Sequence, residues 1–254
     1  MIQTRNLGKM YKIGSRGPGR ALEMYGTARD VITNRVLSII HGGAHVPISY
    51  DELWALRNLT FDVHAGERVA IVGKNGAGKS TLLKVLSRIT TPTEGDADVY
   101  GNVGCLLEIG PGLHPELTGE ENIYLYGSIL GMKKKDIEDK MNDIIKFAEI
   151  EDFVDVPLKR YSSGMWVRLG FGIVSISHPD ILLLDETLSV SDAGFQKKAL
   201  DRVRELSKEG CTVISVSHNE NVLRSLCDRG ILLEHGKIVV DGKLDDVLRT
   251  YGTL

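Results

Sequence analysis

Gly73-Lys74-Asn75-Gly76-Ala77-Gly78-Lys79-Ser80-Thr81 has the spacing G-x-x-x-x-G-K-[ST]. An apolar run, Arg68–Val72, precedes it, and Leu82, Leu83, Leu86 and Ile89 follow at helical spacing. The stretch therefore reads as a loop between a strand and a helix, the context in which this motif binds phosphate. Glycines let successive backbone N–H groups turn towards an anion, and the helix N-terminus adds a favourable field. Lys79 brings a point charge suited to β- and γ-phosphates, and the Ser80 hydroxyl suits Mg²⁺. Gly73, Lys74, Asn75, Gly76, Ala77, Gly78, Lys79, Ser80 and Thr81 are thus the candidate nucleotide-binding residues. The bland alternative is a glycine-rich turn ahead of a helix, and the two flanks weigh against it.

Outward from this loop, Ile2 to Ile13 reads as a strand, followed by the loop chemistry of Gly14-Ser15-Arg16-Gly17-Pro18-Gly19-Arg20. Ala28, Val31, Ile32, Val36, Ile39 and Ile40 predict an amphipathic helix ended by Gly42-Gly43. A strand is expected over Leu53–Val63, and the region from Leu117 to about Ser177 reads as mostly helical. Two apolar β runs, Ile181–Leu184 and Thr212–Val216, flank a helix expected over Gln196–Lys208, which is a βαβ signature of a parallel sheet. Gly230–Gly242 reads as a hairpin turning at His235-Gly236.

The run Asp180-Ile181-Leu182-Leu183-Leu184 ends in two carboxylates, Asp185 and Glu186. Asp185 at a strand tip can hold the Mg²⁺ shell opposite Ser80, while Glu186 can polarise a water for attack on the γ-phosphorus. Alone, such a pair is as readily a solvated turn; the phosphate loop upstream favours the catalytic reading. Val213-Ile214-Ser215-Val216-Ser217 ends in His218, which can donate to a γ-phosphate. His41, His45, His64, His178 and His235 carry no such context.

The net charge of -3, with 42% apolar and 26% charged residues, describes an ordinary globular chain and argues against a general nucleic-acid binder. Cys105, Cys211 and Cys227 lack metal-ligand spacing, as expected in a reducing compartment. No apolar leader opens the sequence, and no stretch approaches the roughly 20 apolar residues that span a bilayer. Membrane association is therefore expected to come through a partner or a surface patch.

Between the phosphate loop and the acidic strand lies Tyr161-Ser162-Ser163-Gly164-Met165, opening an apolar helix. This resembles the signature motif of ABC ATPases, Leu-Ser-Gly-Gly-Gln, with Ser163 for a glycine and Met165 for the glutamine. The order of phosphate loop, signature, acidic strand, Ser189-Val190-Ser191-Asp192 as D-loop and His218 also resembles that family. More closely, the chain is similar to ATPases that export bacterial O-antigen, capsule and teichoic acid polymers. That likeness rests on 161–169, on 106–123, on Asp185 to Asp192, on Leu226-Cys227-Asp228, and on the extra segment between Tyr11 and Trp54.

The resemblance implies a single α/β domain over 1–254: a P-loop, RecA-like ABC nucleotide-binding domain with an antiparallel β subdomain and an inserted helical subdomain. Its core would comprise 1–116 and 178–254, with an insertion at 14–50 and the helical subdomain at 117–177. It implies ATP and Mg²⁺ as cofactors, and a homodimer in which Ser162, Ser163 and Gly164 of one copy complete the site built on Lys79, Glu186 and His218 of the other. Tyr11 matches the aromatic that stacks on adenine, against the alternative of a packing residue. Glu108 stands where the family's Q-loop glutamine, which senses Mg²⁺ and the membrane partner, is expected, and so joins Ser80 and Asp185 as an implied metal-site residue, or is a core strand residue. A transmembrane permease is the implied partner, contacting most of the polymer, at the cytoplasmic face of the inner membrane. Residues Ala28–Ile40 would face lipid or partner, or pack on the sheet. The runner-up function is export of a drug or lipid. A DNA-linked ABC ATPase would need a coiled coil, zinc motif or second cassette, and a non-hydrolysing module sits poorly with Glu186 and His218.

Overall fold

The computed structural model describes residues 1–15, 49–107, 112–186 and 191–253. The amphipathic segment Ala28–Ile40, Glu108, and the D-loop residues Ser189 and Val190 lie outside the described residues.

Among the described residues two sheets form. In the first, β1 (Ile2–Ser15) lies between β2 (Ser49–Val63) and β4 (Glu94–Val99), antiparallel to both. The β1–β2 register shifts between Thr4 and Leu7, and beside the shift the buried Thr4 hydroxyl donates to the Phe61 carbonyl and accepts from the Phe61 N–H. The second sheet has the order β5 (Val103–Leu106), β6 (Ile181–Leu184), β7 (Thr212–Val216), β3 (Arg68–Val72), β8 (Arg229–Glu234), β9 (Lys237–Lys243). Strands β5 to β8 run parallel and β9 is antiparallel at the edge.

Alternation along the parallel strands explains why both sheet faces are apolar. Val69, Ile71, Ile181, Leu183, Ile214 and Ile231 enter one buried cluster with the antiparallel sheet and α1 (Lys79–Leu86). Ala70, Val72, Leu182, Leu184, Val213 and Leu232 point the other way, into a second cluster. The second cluster also takes side chains from α2 (Gly119–Ile129), α3 (Lys134–Ala148), α4 (Ser163–Ile176), α5 (Ala193–Lys208), α6 (Glu220–Leu226) and α7 (Leu244–Tyr251). Edge strand β9 alternates half-buried and exposed residues, as a half-covered edge should.

Local chemistry sets the helix ends. Thr118 and Glu121 form a reciprocal capping box at α2, Ser162 caps α4, and Asp192 caps α5. The cap at Asp192 starts α5 three residues ahead of the expected Gln196. Helix α1 stops at Leu86, so Ile89 does not continue its apolar face; Arg88 adopts a left-handed backbone and Ile89 is exposed.

Candidate active site

Parallel strands in register bring the chemistry together. The phosphate loop leaves the C-terminal end of β3, Asp185 and Glu186 follow β6, and His218 follows β7. Strands β6, β7 and β3 are adjacent in the sheet, so all three stretches emerge on one rim, the usual position of ligand sites in α/β sheets.

On the loop, Lys79 is buried and its Nζ donates to the Gly73 carbonyl at 2.7 Å and the Lys74 carbonyl at 3.2 Å. Burial lowers the Lys79 pKa from its ordinary value, while the charges of Glu186 and Asp185 raise it, placing the ammonium within the field of both carboxylates. Gly78 precedes the first helical residue with φ of 106°, a left-handed conformation, and a Cβ there would lie 2.6 Å from the Ala55 carbonyl oxygen. Lacking a side chain, Gly78 gives α1 no side-chain cap, so its first N–H groups remain available to an anion. Ser80 is exposed and Thr81 half-buried, whereas Lys74, Asn75 and Gly76 form the exposed crest of the loop and Ala77 is buried beneath it.

At the acidic tip, the Glu186 N–H donates to Asp185 Oδ1 at 2.7 Å. His218 Nε2 lies 3.0 Å from Glu186 Oε1, both side chains being roughly half exposed. Base candidate and histidine are thus already in hydrogen-bond contact. Tyr11 presents its ring outward at 36% exposure, opposite Leu53 on β2, with Lys9 Nζ 5.3 Å from the ring centroid. Ser162 and Ser163 are exposed and Gly164 half-buried at the start of α4, where the Ser162 hydroxyl accepts from the Met165 N–H. Serving as a cap leaves Ser162 at the helix end where an anion is favoured.

The structure adds residues that sequence reading missed. The β8–β9 turn supports the phosphate loop: Gly236 N–H donates to the Ala77 carbonyl at 3.1 Å, and the Gly236 carbonyl accepts from Arg57 N–H at 2.8 Å. A glycine in a predicted hairpin turn was visible, but its contact with the loop was not. Buried Asn122 holds the 114–118 loop through the His114 N–H and the carbonyls of His114, Leu117 and Thr118. Among the described residues no group of His, Cys, Asp and Glu forms a separate metal site, and no helix is long and apolar enough to cross a membrane.

The chain is similar to known proteins. The family profile described as ABC transporter matches residues 56–189. The O-antigen export system ATP-binding protein RfbB of Klebsiella pneumoniae is 42% identical over 197 residues, covering 78% of this chain and 80% of that protein. The teichoic acids export ATP-binding protein TagH of Listeria monocytogenes is 39% identical over 247 residues, 96% of this chain and 71% of the relative. A bacterial ABC transporter cassette solved as a dimer superposes with a TM-score of 0.72 at 24% identity, over 96% of this chain and 99% of the other. The same score, at 23% identity, relates the chain to a dimeric post-hydrolysis cassette bound to ADP and phosphate. The chain belongs to the ABC transporter family and has the fold of its ATPase cassettes.

Proposed function

We propose that this chain hydrolyses ATP to drive export of a lipid-linked polysaccharide of the O-antigen, capsule or teichoic acid type. It acts as a homodimer beneath a separate membrane permease, peripheral to the cytoplasmic face of the membrane. The observation that carries the ATPase reading is the shared rim: Lys79 in the field of Asp185 and Glu186, with His218 3.0 Å from Glu186. The export systems named for the relatives support the polymer, since they span most of this chain.

The residues fit the ligands proposed for them. Lys79, now bonded to two loop carbonyls, would exchange them for phosphate oxygens, and the uncapped start of α1 offers N–H groups beside it. Ser80 and Asp185 would hold Mg²⁺, which would supply positive charge to neutralise the phosphates. In this reading Glu186 takes the proton from the attacking water and His218, 3.0 Å from it, reports the γ-phosphate; their contact supports the pairing. Tyr11 offers an exposed face to adenine. A second copy supplies Ser162, Ser163 and Gly164 at the positive end of α4, a differential contact that exists only while the γ-phosphate is present. The boundaries 117–177 for the helical subdomain, and 1–116 with 178–254 for the core, follow the same reading.

A strain carrying only the Glu186→Gln form tests the polymer. Loss of surface polysaccharide, with lipid-linked polymer accumulating inside the cell, is expected. Normal surface polysaccharide would overturn this substrate and favour a drug or lipid exporter.

A further inference from the structure

Lys9 has no part in the roles above, yet it touches the ring proposed to receive the base. Lys9 and Tyr11 lie two residues apart on β1, and their side chains meet. The Lys9 ammonium sits over the Tyr11 ring, 5.3 Å from its centroid, and donates to the Thr91 carbonyl at 2.8 Å. The backbone on either side of Lys9 is tied to the same segment. The Thr93 N–H donates to the Gly8 carbonyl at 2.8 Å, and the Met10 N–H donates to Thr93 Oγ1 at 3.1 Å. That segment follows α1 and is joined to its last turn by the Thr90 N–H on the Lys84 carbonyl at 3.1 Å. Helix α1 starts at Lys79, so a continuous set of contacts runs from the Tyr11 ring to the phosphate loop.

This contact supplies a restraint that the sheet lacks. Pairing of β1 with β2 shifts register between Leu7 and Lys9 and again between Lys9 and Met10, so the regular ladder is interrupted just before Tyr11. Tyr11 is exposed, and so is Leu53 opposite it on β2, so burial does not lock the ring. A loosely held tyrosine loses rotamer freedom each time a base stacks on it, which weakens binding. A lysine free in solvent would lose its own freedom in steadying the ring, but Lys9 is already held by the Thr91 carbonyl. Its ammonium, attracted to the ring face, therefore orders the ring before a ligand arrives.

We propose that Lys9 is a positioning residue for nucleotide binding: anchored on Thr91, it holds the Tyr11 ring ready for the adenine and at a set distance from the phosphate loop. The inference rests on the ATP reading above, in which Tyr11 stacks on the base. Lys9 acts through Tyr11, so its contribution is confined to ligands that carry a base and disappears with the ring. A cation recruited only for its charge would instead act on the phosphates whether or not a base is attached. Arginine can take its place, because a guanidinium also sits over an aromatic face and donates to a carbonyl.

The test uses the full chain with Lys9→Met, Lys9→Arg, Tyr11→Ala and the double change Lys9→Met/Tyr11→Ala, beside wild type. Methionine keeps the apolar stem at this half-buried position and removes the charge and the donor, so folding is preserved, which urea melts check. Calorimetry measures the Kd for ATP without Mg²⁺, which prevents turnover, and for inorganic tripolyphosphate, which has no base. A cation–π contact and one pre-ordered side chain are together worth roughly 3- to 10-fold in affinity. Lys9→Met is expected to weaken ATP by about that factor while tripolyphosphate stays within about 2-fold of wild type. Lys9→Arg should bind both within about 2-fold of wild type. On the Tyr11→Ala background Lys9→Met should add less than about 2-fold, and this cycle carries the test even if tripolyphosphate binds too weakly to titrate. Wild-type ATP affinity in Lys9→Met, an equal loss for tripolyphosphate, or a loss that multiplies with that of Tyr11→Ala would overturn the inference and leave the phosphate-loop reading intact. Wild-type ATP affinity in Tyr11→Ala would overturn the base platform and the inference with it. Wild-type protein that binds no ATP would overturn the ATP reading itself.

Discussion

Replacing Gly236 by alanine tests how the phosphate loop is held. Gly236 turns between β8 and β9 at φ 73°, and a Cβ there would sit 2.6 Å from the Ala55 carbonyl oxygen and 3.1 Å from Leu56 Cα. Both obstacles are backbone of β2, and Leu56 is fully buried, so neither can swing aside. A left-handed alanine costs roughly 1 kcal/mol, and overpacking against fixed atoms adds about 1–3 kcal/mol. The turn must retreat, which weakens the Gly236 N–H bond to Ala77 and the Arg57 N–H bond to Gly236. A loss of about 2–4 kcal/mol in unfolding free energy is expected from urea melts. If about 1.4 kcal/mol of it falls on the bound phosphate loop, KM for ATP rises about 10-fold with kcat less affected. Gly242→Ala is the control: nothing lies within 4 Å of its Cβ, and both readouts should stay near wild type. A Gly236→Ala protein with the wild-type midpoint and KM would refute this support of the loop.

Further outcomes follow from the same geometry. Tyr11→Ala should leave stability almost unchanged, because the ring is already 36% exposed, yet weaken ATP binding about 10-fold, whereas Tyr11→Phe should bind normally; calorimetric titration decides it. Asn122→Ala strands the groups Asn122 now satisfies at His114, Leu117 and Thr118, and should lower stability by about 2 kcal/mol or more in urea melts. Burial pushes the Cys211 thiol up to about 11 and Cys227 up to about 12, and raises Cys105 as well. At pH 8 a thiol of pKa near 11 is only about one-thousandth ionised, so native protein should resist iodoacetamide, increasingly less as pH rises, and take up three labels once unfolded. Rapid native labelling of Cys227, read by mass spectrometry, would contradict that burial.

Much of the central sheet was legible because its strands are short apolar runs bounded by turn residues. Arg68–Val72, Ile181–Leu184 and Thr212–Val216 appear with the expected bounds. Strand β4 was not legible: Glu94-Gly95-Asp96-Ala97-Asp98-Val99 has little strand propensity, and only pairing with β1 makes it one. Strand β5 is four residues long, and α6 and α7 are too short for periodicity to declare them. The candidate site was readable where its chemistry is local, as in 73–81 and 185–186. The Gly236 brace, the Asn122 hub and the Lys9–Thr91 contact each join residues apart in sequence, and no single stretch encodes them.

The proposed ATPase holds ATP between two copies and attacks it with the help of Glu186. Light scattering on purified Glu186→Gln protein, with and without ATP and Mg²⁺, tests this directly alongside phosphate release. The account predicts the mass of two chains with ATP, the mass of one chain without it, and phosphate release reduced by about 100-fold or more. A Glu186→Gln protein that turns over ATP at the wild-type rate, or that binds ATP and keeps the mass of one chain, would contradict it.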